Sequence, residues 1–123
     1  QIAASNAFKM SKHNVNDIDV GEVHDGFSVC EPMALESLGF ADKGKGMSMV
    51  KELYTTNNSK INPRGGLIGA GHPLGATGIA QTIEIMKQLQ SCANKRQVDN
   101  AKIGLIHNMS AAATSSTVLV LEK

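Results

Sequence analysis

A chain of 123 residues with 41% hydrophobic and 19% charged residues is long enough to bury one core, and a single domain is expected. A net charge of +1 and an aromatic content of 3% do not favour nucleic-acid binding, which needs a basic surface and usually aromatic stacking platforms. The two cysteines, Cys30 and Cys92, lack CxxC or Cys/His spacing, so neither a disulfide framework nor a zinc site is expected.

The first quarter of the chain predicts a helix and then a short strand. Residues 1–13 have a modest apolar face that includes Ala4 and Phe8, and a polar break follows. The segment from Ile18 to His24 is typical of a short strand. The strand ends in His24, Asp25, Gly26 and Phe27, a cluster that contains two titratable side chains.

A second helix is predicted from its terminal residues. Ser28 and Glu31 have the spacing of a capping box, and Pro32 is tolerated in a first helical turn. Gly39 is a plausible terminator, because glycine readily adopts the left-handed conformation that ends many helices. The residues expected on its buried side are Val29, Met33, Leu35 and Leu38.

The middle of the chain is less regular. A short helix is predicted from Met47 to Leu53, and a brief strand at Ile61 and Asn62 leads through Pro63 into a glycine-rich stretch. The lysines at positions 43, 45 and 51 could contact a phosphate, but a solvated face is the simpler interpretation.

The glycine-rich stretch from Gly65 to Gly78 contains six glycines in fourteen residues, and His72 is its only titratable side chain. So many glycines allow positive φ angles and close backbone approach. A histidine on such a corner ahead of a helix is well placed for anion binding or proton transfer. The following helix, from Ala76 to about Gln90, has the clearest pattern in the chain, with one apolar stripe formed by Ile79, Ile83, Met86 and Leu89.

Two apolar segments near the C-terminus predict strands, from Lys102 to His107 and from Thr117 to Leu121. Their nearly continuous apolar character predicts sheet positions that are covered on both faces. The linker from Asn108 to Ser116 is long enough for a hairpin, so the two strands are expected to be antiparallel neighbours. Strands that alternate with helices indicate an α/β fold.

Three of the four histidines occupy similar positions. His24 and His107 end predicted strands, and His72 follows one. Because ligands collect at strand ends in α/β sheets, these side chains are expected to meet in one crevice. A three-histidine metal site is a weaker alternative, since no helical His-x-x-x-His pair supports it.

Two nucleotide-binding interpretations are also weak. Gly69, Gly71 and Gly75 imitate a dinucleotide-binding turn, but the next strand ends in His107 rather than an acidic residue. A P-loop is excluded because Gly-Lys-Ser/Thr is absent from the sequence.

The sequence from Gly65 to Gly78 resembles the Gly-His-Pro block of the thiolase family. The segment His24-Asp25-Gly26-Phe27 is similar to the His-Asp-Cys-Phe motif of the sterol carrier protein thiolase branch. His107-Asn108 matches the His-Asn of that branch, where other thiolases carry a catalytic cysteine. The resemblance covers essentially the whole chain, which corresponds to the C-terminal part of the family's subunit.

The resemblance implies a thiolase-like α/β half-domain, with a mixed sheet of about four strands and helices packed on it. Residues 1–123 would be a partial thiolase C-terminal domain, without its first strand and without the N-terminal half of the subunit. Such a half-domain is expected to expose an apolar helix face or an open sheet edge. We therefore expect association with the N-terminal half and a homo-oligomer.

The implied function is that of an acyl-coenzyme A acyltransferase of the acetyl-CoA acetyltransferase type, which forms C–C bonds or cleaves 3-ketoacyl-CoA by thiolysis. The catalytic residues would be His72, as base and oxyanion donor, together with His24 and His107. Gly71, Asn108 and Phe27 would bind substrate. Coenzyme A thioesters would be substrates, with no cofactor and no metal.

Two departures from the family pattern leave alternatives open. The nucleophilic cysteine belongs to the family's N-terminal half, so this chain alone is not expected to be active. The motif cysteine is Gly26 here, and glycine cannot transfer a proton; Cys30, four residues later, is more simply a small buried thiol. The loop from Ser110 to Thr114 carries alanines where the family usually has glycines. A non-catalytic or redirected acyl-CoA-binding homologue, or a scaffold subunit, is therefore the alternative.

The expected location is the cytoplasm. No segment approaches the roughly 18 apolar residues that span a bilayer. A peroxisomal location is the alternative in a eukaryote, although Leu121-Glu122-Lys123 is not the Ser-Lys-Leu signal.

Overall fold

The computed structural model describes residues 1–56, 60–110 and 113–123. Short 3₁₀ turns at Val15–Asp17 and Asn94–Arg96 accompany the main elements. In chain order these are α1 (Ile2–Ser11), β1 (Val20–Glu22), α2 (Cys30–Leu38), α3 (Gly46–Thr55), α4 (Gly66–Ala70), α5 (Thr77–Leu89), β2 (Ile103–Met109) and β3 (Ser116–Glu122). None of the helices in these ranges has the length and apolar character needed to cross a membrane.

The sheet has the order β1-β2-β3. β1 pairs in parallel with β2, and β2 pairs antiparallel with β3, which confirms the predicted C-terminal hairpin. The predicted strand at Ile61 and Asn62 is reduced to a single parallel bridge between Ile61 and Gly21. The mixed α/β sheet that was predicted from the sequence is therefore confirmed, with three strands and one bridged residue in the described ranges.

Helices cover both faces of the sheet. One cluster of buried side chains joins β1 and β2 to α1, α2 and α3, and its largest fully buried members are Ile18, Leu35 and Leu105. A smaller cluster lies under α5 and consists of Val20, Ile85, Leu89, Ala101 and Ile106. Gly104 of β2 permits the close approach of α5, because a Cβ atom there would overlap Ile85 Cγ2. This double covering is the layered arrangement typical of α/β proteins.

The start of α2 differs from its prediction. The helix begins at Cys30 with Val29 at the N-cap, and within the described residues no side chain caps it, so the predicted Ser28–Glu31 capping box is wrong. Glu31 is buried instead, where the Tyr54 hydroxyl and the Asn62 amide donate to its carboxylate. These tertiary partners outweigh the local capping preference. The predicted terminator is correct, because Gly39 has a φ angle of 92°.

The burial of α2 follows from the inward position of Glu31. Leu35 and Leu38 are buried as predicted. Val29 and Met33, which were also expected inside, are 54% and 59% exposed. The helix is rotated relative to the prediction because its buried side is shared with a carboxylate.

The face of α5 that lies against the sheet is mixed, with four polar residues beside Ile85 and Leu89, and most of the apolar stripe faces outward. The predicted stripe is correct as a pattern, but Ile79 is 64% exposed, and Ile83 and Met86 are each 47% exposed. The buried face is formed by Thr77, Gln81, Glu84, Ile85, Gln88 and Leu89. Hydrogen bonds satisfy the polar members of this face: Gln88 donates to Glu84 and to Arg96 O, and Arg96 pairs with Glu84 at 2.9 Å.

β3 is also less covered than predicted. Thr117 and Leu119 are exposed, whereas Val118 and Val120 pack against the larger core cluster. The expectation that β3 is covered on both faces is therefore wrong, because the outer side of α5 does not extend over it. The exposed apolar helix face that was expected of a half-domain is present on α5.

Candidate active site

Two of the three predicted site histidines, His24 and His72, meet at one edge of the fold. His24 follows β1, His107 lies in β2, and His72 lies in the loop between α4 and α5. The rings of His24 and His72 meet edge to face, with centroids 4.9 Å apart and planes at 90°. His24 and His72 therefore lie together as expected, although His72 follows the short helix α4 rather than a strand. His107 does not line the same cleft.

A cleft of about 480 Å³ opens at this point. Four of the predicted site residues line it, namely His24, His72, Phe27 and Asn108. The other lining residues are Gly26, Leu74, Met109, Ser110, Ser115 and Thr117. His107 is buried behind this wall, with Nε2 3.1 Å from Ser116 Oγ, and Gly71 precedes His72 with a φ angle of 84°.

A threonine determines which ring nitrogen of His72 carries the proton. The Thr77 hydroxyl is buried and lies 3.2 Å from Pro73 O, to which it donates. It therefore accepts from His72 Nδ1, which is 2.8 Å away. Neutral His72 is thus assigned as the Nδ1–H tautomer, and its Nε2 is left as an acceptor. The sequence prediction missed Thr77, since a threonine in a first helical turn is an ordinary feature.

His24 and His107 are held in their neutral forms. Burial lowers the pKa of His24, the nearby His72 lowers it further, and Asp25 partly opposes the effect. Burial lowers the pKa of His107 to about 4, and His24 contributes to the same direction. Near neutral pH each ring can therefore both donate and accept a hydrogen bond.

The amide of Asn108 is oriented from α5. Asn108 Nδ2 donates to Gln81 Oε1 at 2.9 Å, and Gln81 Nε2 donates to His107 O at 3.3 Å. Gln81 is completely buried, so its amide cannot easily exchange this partner for water. The sequence prediction missed Gln81, because nothing in its local pattern marks an inward-facing glutamine.

Gly26 lies directly against His24. A Cβ atom at position 26 would be 3.0 Å from His24 Nε2 and 3.7 Å from Leu67 Cδ2. Any side chain at this position would therefore adjoin the His24 ring. Cys30 is half-buried in the first turn of α2. In the loop from Ser110 to Thr114, Ala111 and Ala112 lie outside the described residues.

The donor set at the cleft consists of imidazoles, amides and hydroxyls. Among the residues that the structure describes, no group of three or more His, Cys, Asp or Glu side chains is arranged to hold a metal ion. Such a set can transfer a proton at His72 and can stabilise charge on an oxygen. The fold and the cleft together define an α/β half-domain with a histidine-centred site.

The whole chain, residues 1–123, matches the thiolase C-terminal domain-like family, and the chain belongs to this family. It is 46% identical to an acetyl-CoA acetyltransferase of Methanothermobacter thermautotrophicus, over 98% of this chain and 32% of that protein. It is 48% identical to human sterol carrier protein 2, over 87% of this chain and 20% of that protein. The chain thus spans about a third or less of the length of these relatives.

A solved structure shows the same fold. The Ltp2-ChsH2(DUF35) aldolase superposes with a TM-score of 0.78 at 18% identity, over 98% of this chain and 31% of that one. The thiolase-like α/β fold that was predicted from the sequence is therefore confirmed.

Proposed function

We propose that the protein containing this chain is a thiolase-type acyl-CoA acyltransferase, and that the chain supplies its base and oxyanion-binding histidines. The observation that carries the proposal is the edge-to-face pair of His24 and His72 in the cleft. Membership of the thiolase family and similarity to a protein named acetyl-CoA acetyltransferase supply the reaction class. A thiolase forms or cleaves a C–C bond between acyl groups through an acyl-enzyme on cysteine.

His72 serves as the base. Its Nε2 takes the proton of a cysteine thiol contributed by the N-terminal half of the subunit, and the thiolate attacks the acyl carbonyl carbon. The proton remains on Nε2, while Thr77 holds Nδ1–H in place. The resulting imidazolium donates to the negatively charged oxygen of the tetrahedral intermediate, so one side chain acts first as base and then as oxyanion donor. When this intermediate collapses to the acyl-enzyme, the bond between the acyl carbon and the coenzyme A sulfur breaks, and the leaving thiolate takes the proton from Nε2.

His24 and Asn108 stabilise charge on the second acyl group. A thioester enolate places negative charge on its oxygen, and fixed donors around that oxygen contribute several kcal/mol. His24 lies in van der Waals contact range of His72 and lines the same cleft as Asn108. His107 supports this wall from behind, and Gly71 leaves the backbone before His72 accessible to substrate.

The apolar rim fits an acyl-coenzyme A. Phe27 and Leu74 are 73% and 84% exposed at the mouth of the cleft. Side chains of this size can cover the pantetheine arm or the acyl chain, because burial of their surface is favourable. Substrate binding therefore combines apolar contact at the rim with polar contact at the histidines.

The outer face of α5 is the surface for the N-terminal half of the subunit. Ile79, Ile83 and Met86 line a groove together with Leu74, Ile106 and Leu119. Exposed apolar surface of this extent marks an interaction site. The partner half would cover it and bring the nucleophile to the neighbouring cleft, and the complete subunit would form a homo-oligomer.

The second candidate function is acyl-CoA binding without Claisen chemistry. Gly26 favours it, because a cysteine at this position would place its thiol next to His24, whereas glycine leaves no proton-transfer group there. The first step of acyl transfer needs only His72 and the nucleophile, so a redirected transferase also remains compatible with Gly26.

The test is thiolysis of acetoacetyl-CoA by the full-length protein. His72→Ala is expected to lower kcat on the order of 10³-fold, as is typical for loss of a general base. The matched control is His13→Gln, which removes an imidazole that pairs with Glu122 away from the cleft. No turnover by the native protein with acyl-CoA binding intact would refute the transferase and support the second candidate. Gly26→Cys then tests the cause: restored turnover would identify Gly26 as the missing group.

A further inference from the structure

Asp25 joins the end of β1 to the glycine-rich stretch. It follows His24 directly and is 1% exposed. Its Oδ1 accepts from the backbone N–H of Leu67 at 2.6 Å, a short distance typical of a charge-assisted bond. Gly66 allows this contact, because its φ angle is 62° and a Cβ atom there would overlap the Asp25 carboxylate.

Leu67 extends this connection to His72. Its carbonyl oxygen accepts from the N–H of Gly71 at 2.9 Å, and Gly71 immediately precedes His72. Its side chain is 4% exposed and lies close to Gly26. One residue therefore bonds to the neighbour of His24 through its N–H and to the neighbour of His72 through its C=O.

Among the described residues, few other hydrogen bonds join the loop that carries His72 to the rest of the fold. Residues 71–76 are exposed, and the hydrogen bonds of His72, Ala76 and Thr77 with Thr77 or Pro73 are local. β1 and the residues after it also hold the preceding segment at Asn62 and Arg64, which lie further from His72. Apart from the ring contact of His24 itself, the Asp25–Leu67 bond is therefore, among the residues that the structure describes, the hydrogen bond to the β1 side that lies nearest to His72 in the sequence.

We propose that Asp25 is a positioning residue, which sets the separation of His24 and His72 by holding α4 through Leu67 N–H. Its effect on catalysis rests on the function proposed above. Asp25 follows His24, and its bond to Leu67 holds the start of α4, the helix that precedes His72. The bond therefore fixes the positions of the two histidine rings relative to each other. A misplacement of about 1 Å can cost on the order of 100-fold in rate, so a small shift of α4 is sufficient to matter.

The test uses full-length protein with Asp25→Ala, Gly66→Ala and the double variant. Asp25→Ala removes the bond, and Gly66→Ala drives a methyl group into the carboxylate. Both single changes are expected to lower kcat roughly 10- to 100-fold, with KM changed less than about threefold. In the double variant the carboxylate that the methyl group would overlap is absent. Adding Gly66→Ala to Asp25→Ala should therefore lower kcat clearly less than adding Gly66→Ala to the native protein.

Two matched controls exclude a general effect of the substitutions. Gly65→Ala adds a methyl group at the preceding left-handed position, with a φ angle of 94°, where the nearest atom is Gly69 Cα at 3.7 Å, and it should leave kcat within about twofold. Asp19→Ala removes a carboxylate that accepts from Lys102 N–H and Ile103 N–H, away from the histidines. It should lower stability without changing the histidine signals described next.

The second readout is independent of turnover. The edge-to-face contact shifts the ring proton resonances of His24 and His72, which can be followed in histidine-labelled protein and assigned with His24→Gln and His72→Gln. Asp25→Ala and Gly66→Ala should move both resonances toward the positions they have when the other ring is absent. Asp25→Asn keeps the size of the side chain and should move both resonances in the same direction by a smaller amount. This variant provides the test if Asp25→Ala does not fold.

The outcomes separate the two proposals. Moved histidine resonances in a protein that performs no thiolysis would uphold the positioning role and refute the transferase. Unchanged resonances and kcat within twofold of native in folded Asp25→Asn and Gly66→Ala would overturn the positioning role while leaving the transferase intact. Equal effects of Gly66→Ala with and without Asp25 would also overturn it.

Discussion

Glu22 makes the stability of this domain depend on pH, and Glu22→Gln should remove that dependence. The side chain is fully buried in β1. Arg64 N–H donates to Oε1 at 3.3 Å, but Arg64 Nε is 3.8 Å from Oε2, too far for a hydrogen bond. Burial therefore dominates and raises the pKa of Glu22 from 4.5 to about 7.

The sign follows from proton binding. A carboxyl group whose pKa is higher in the folded state binds its proton more tightly there, so the stability of the domain falls as the pH rises from 4.5 to about 7. At about 1.4 kcal/mol per pKa unit, the cost above pH 7 is about 3 kcal/mol. Glu22→Gln keeps the acceptor for Arg64 N–H and carries no charge. The variant should match the native protein near pH 4.5 and be more stable by about 1–3 kcal/mol at pH 8.

Urea unfolding of both proteins between pH 4.5 and pH 8 measures this difference. Burial lowers the pKa values of His24 and His107, so these residues affect the free energy of unfolding in the opposite direction. Their contribution to stability is lost as the pH falls below about 6.5. This contribution is common to both proteins and cancels in the comparison. The control is Glu52→Gln, which removes a carboxylate from the exposed side of α3. A stability difference between Glu22→Gln and the native protein that does not vary with pH would refute the reasoning.

Three further changes test other contacts. Thr77→Val removes the acceptor that fixes His72 as the Nδ1–H tautomer, and it should lower kcat about tenfold and change the ¹⁵N shift of His72 Nδ1. Thr82→Val, further along α5, is the control and should leave kcat and this shift unchanged. Arg96→Met should leave the Glu84 carboxylate buried without its cation and lower the free energy of unfolding in urea by about 2 kcal/mol. The control is Lys87→Met, at an exposed position, which should have a negligible effect on the same quantity. Gly104→Ala should cost about 1–3 kcal/mol, because the added methyl group overlaps Ile85 Cγ2. Ile85→Ala, which removes that Cγ2, should relieve part of this cost in the double variant, and full additivity of the two changes would contradict the close approach of α5.

Elements whose signal is local could be predicted from the sequence. The β2–β3 hairpin follows from two apolar segments and a linker of small residues, and α5 follows from a regular apolar spacing. The meeting of His24 and His72 agrees with their expected positions beside strands, although no strand precedes His72 directly. The position of His107 behind the cleft wall was not predicted.

Features that depend on tertiary partners could not be predicted. The spacing of Ser28 and Glu31 fits a capping box, but the sequence does not reveal that Asn62 and Tyr54 meet Glu31 in the interior. The spacing of apolar residues in α5 predicts an apolar stripe, but it does not indicate which side of the helix faces the sheet. Buried amides such as Gln81 have the same local pattern as exposed ones, so the orientation of Asn108 was not foreseeable.

The pairing of β1 with β2 has a consequence for how the domain folds. Val20 lies opposite Gly104, so the two parallel strands are far apart in the sequence, whereas only residues 110–115 separate β2 from β3. The loss of chain entropy on closing so long a loop precedes any gain from the contacts, which makes such pairings slow. His24 follows β1 and His107 lies within β2, so the side of the cleft formed by these strands is complete only after the slowest pairing has formed.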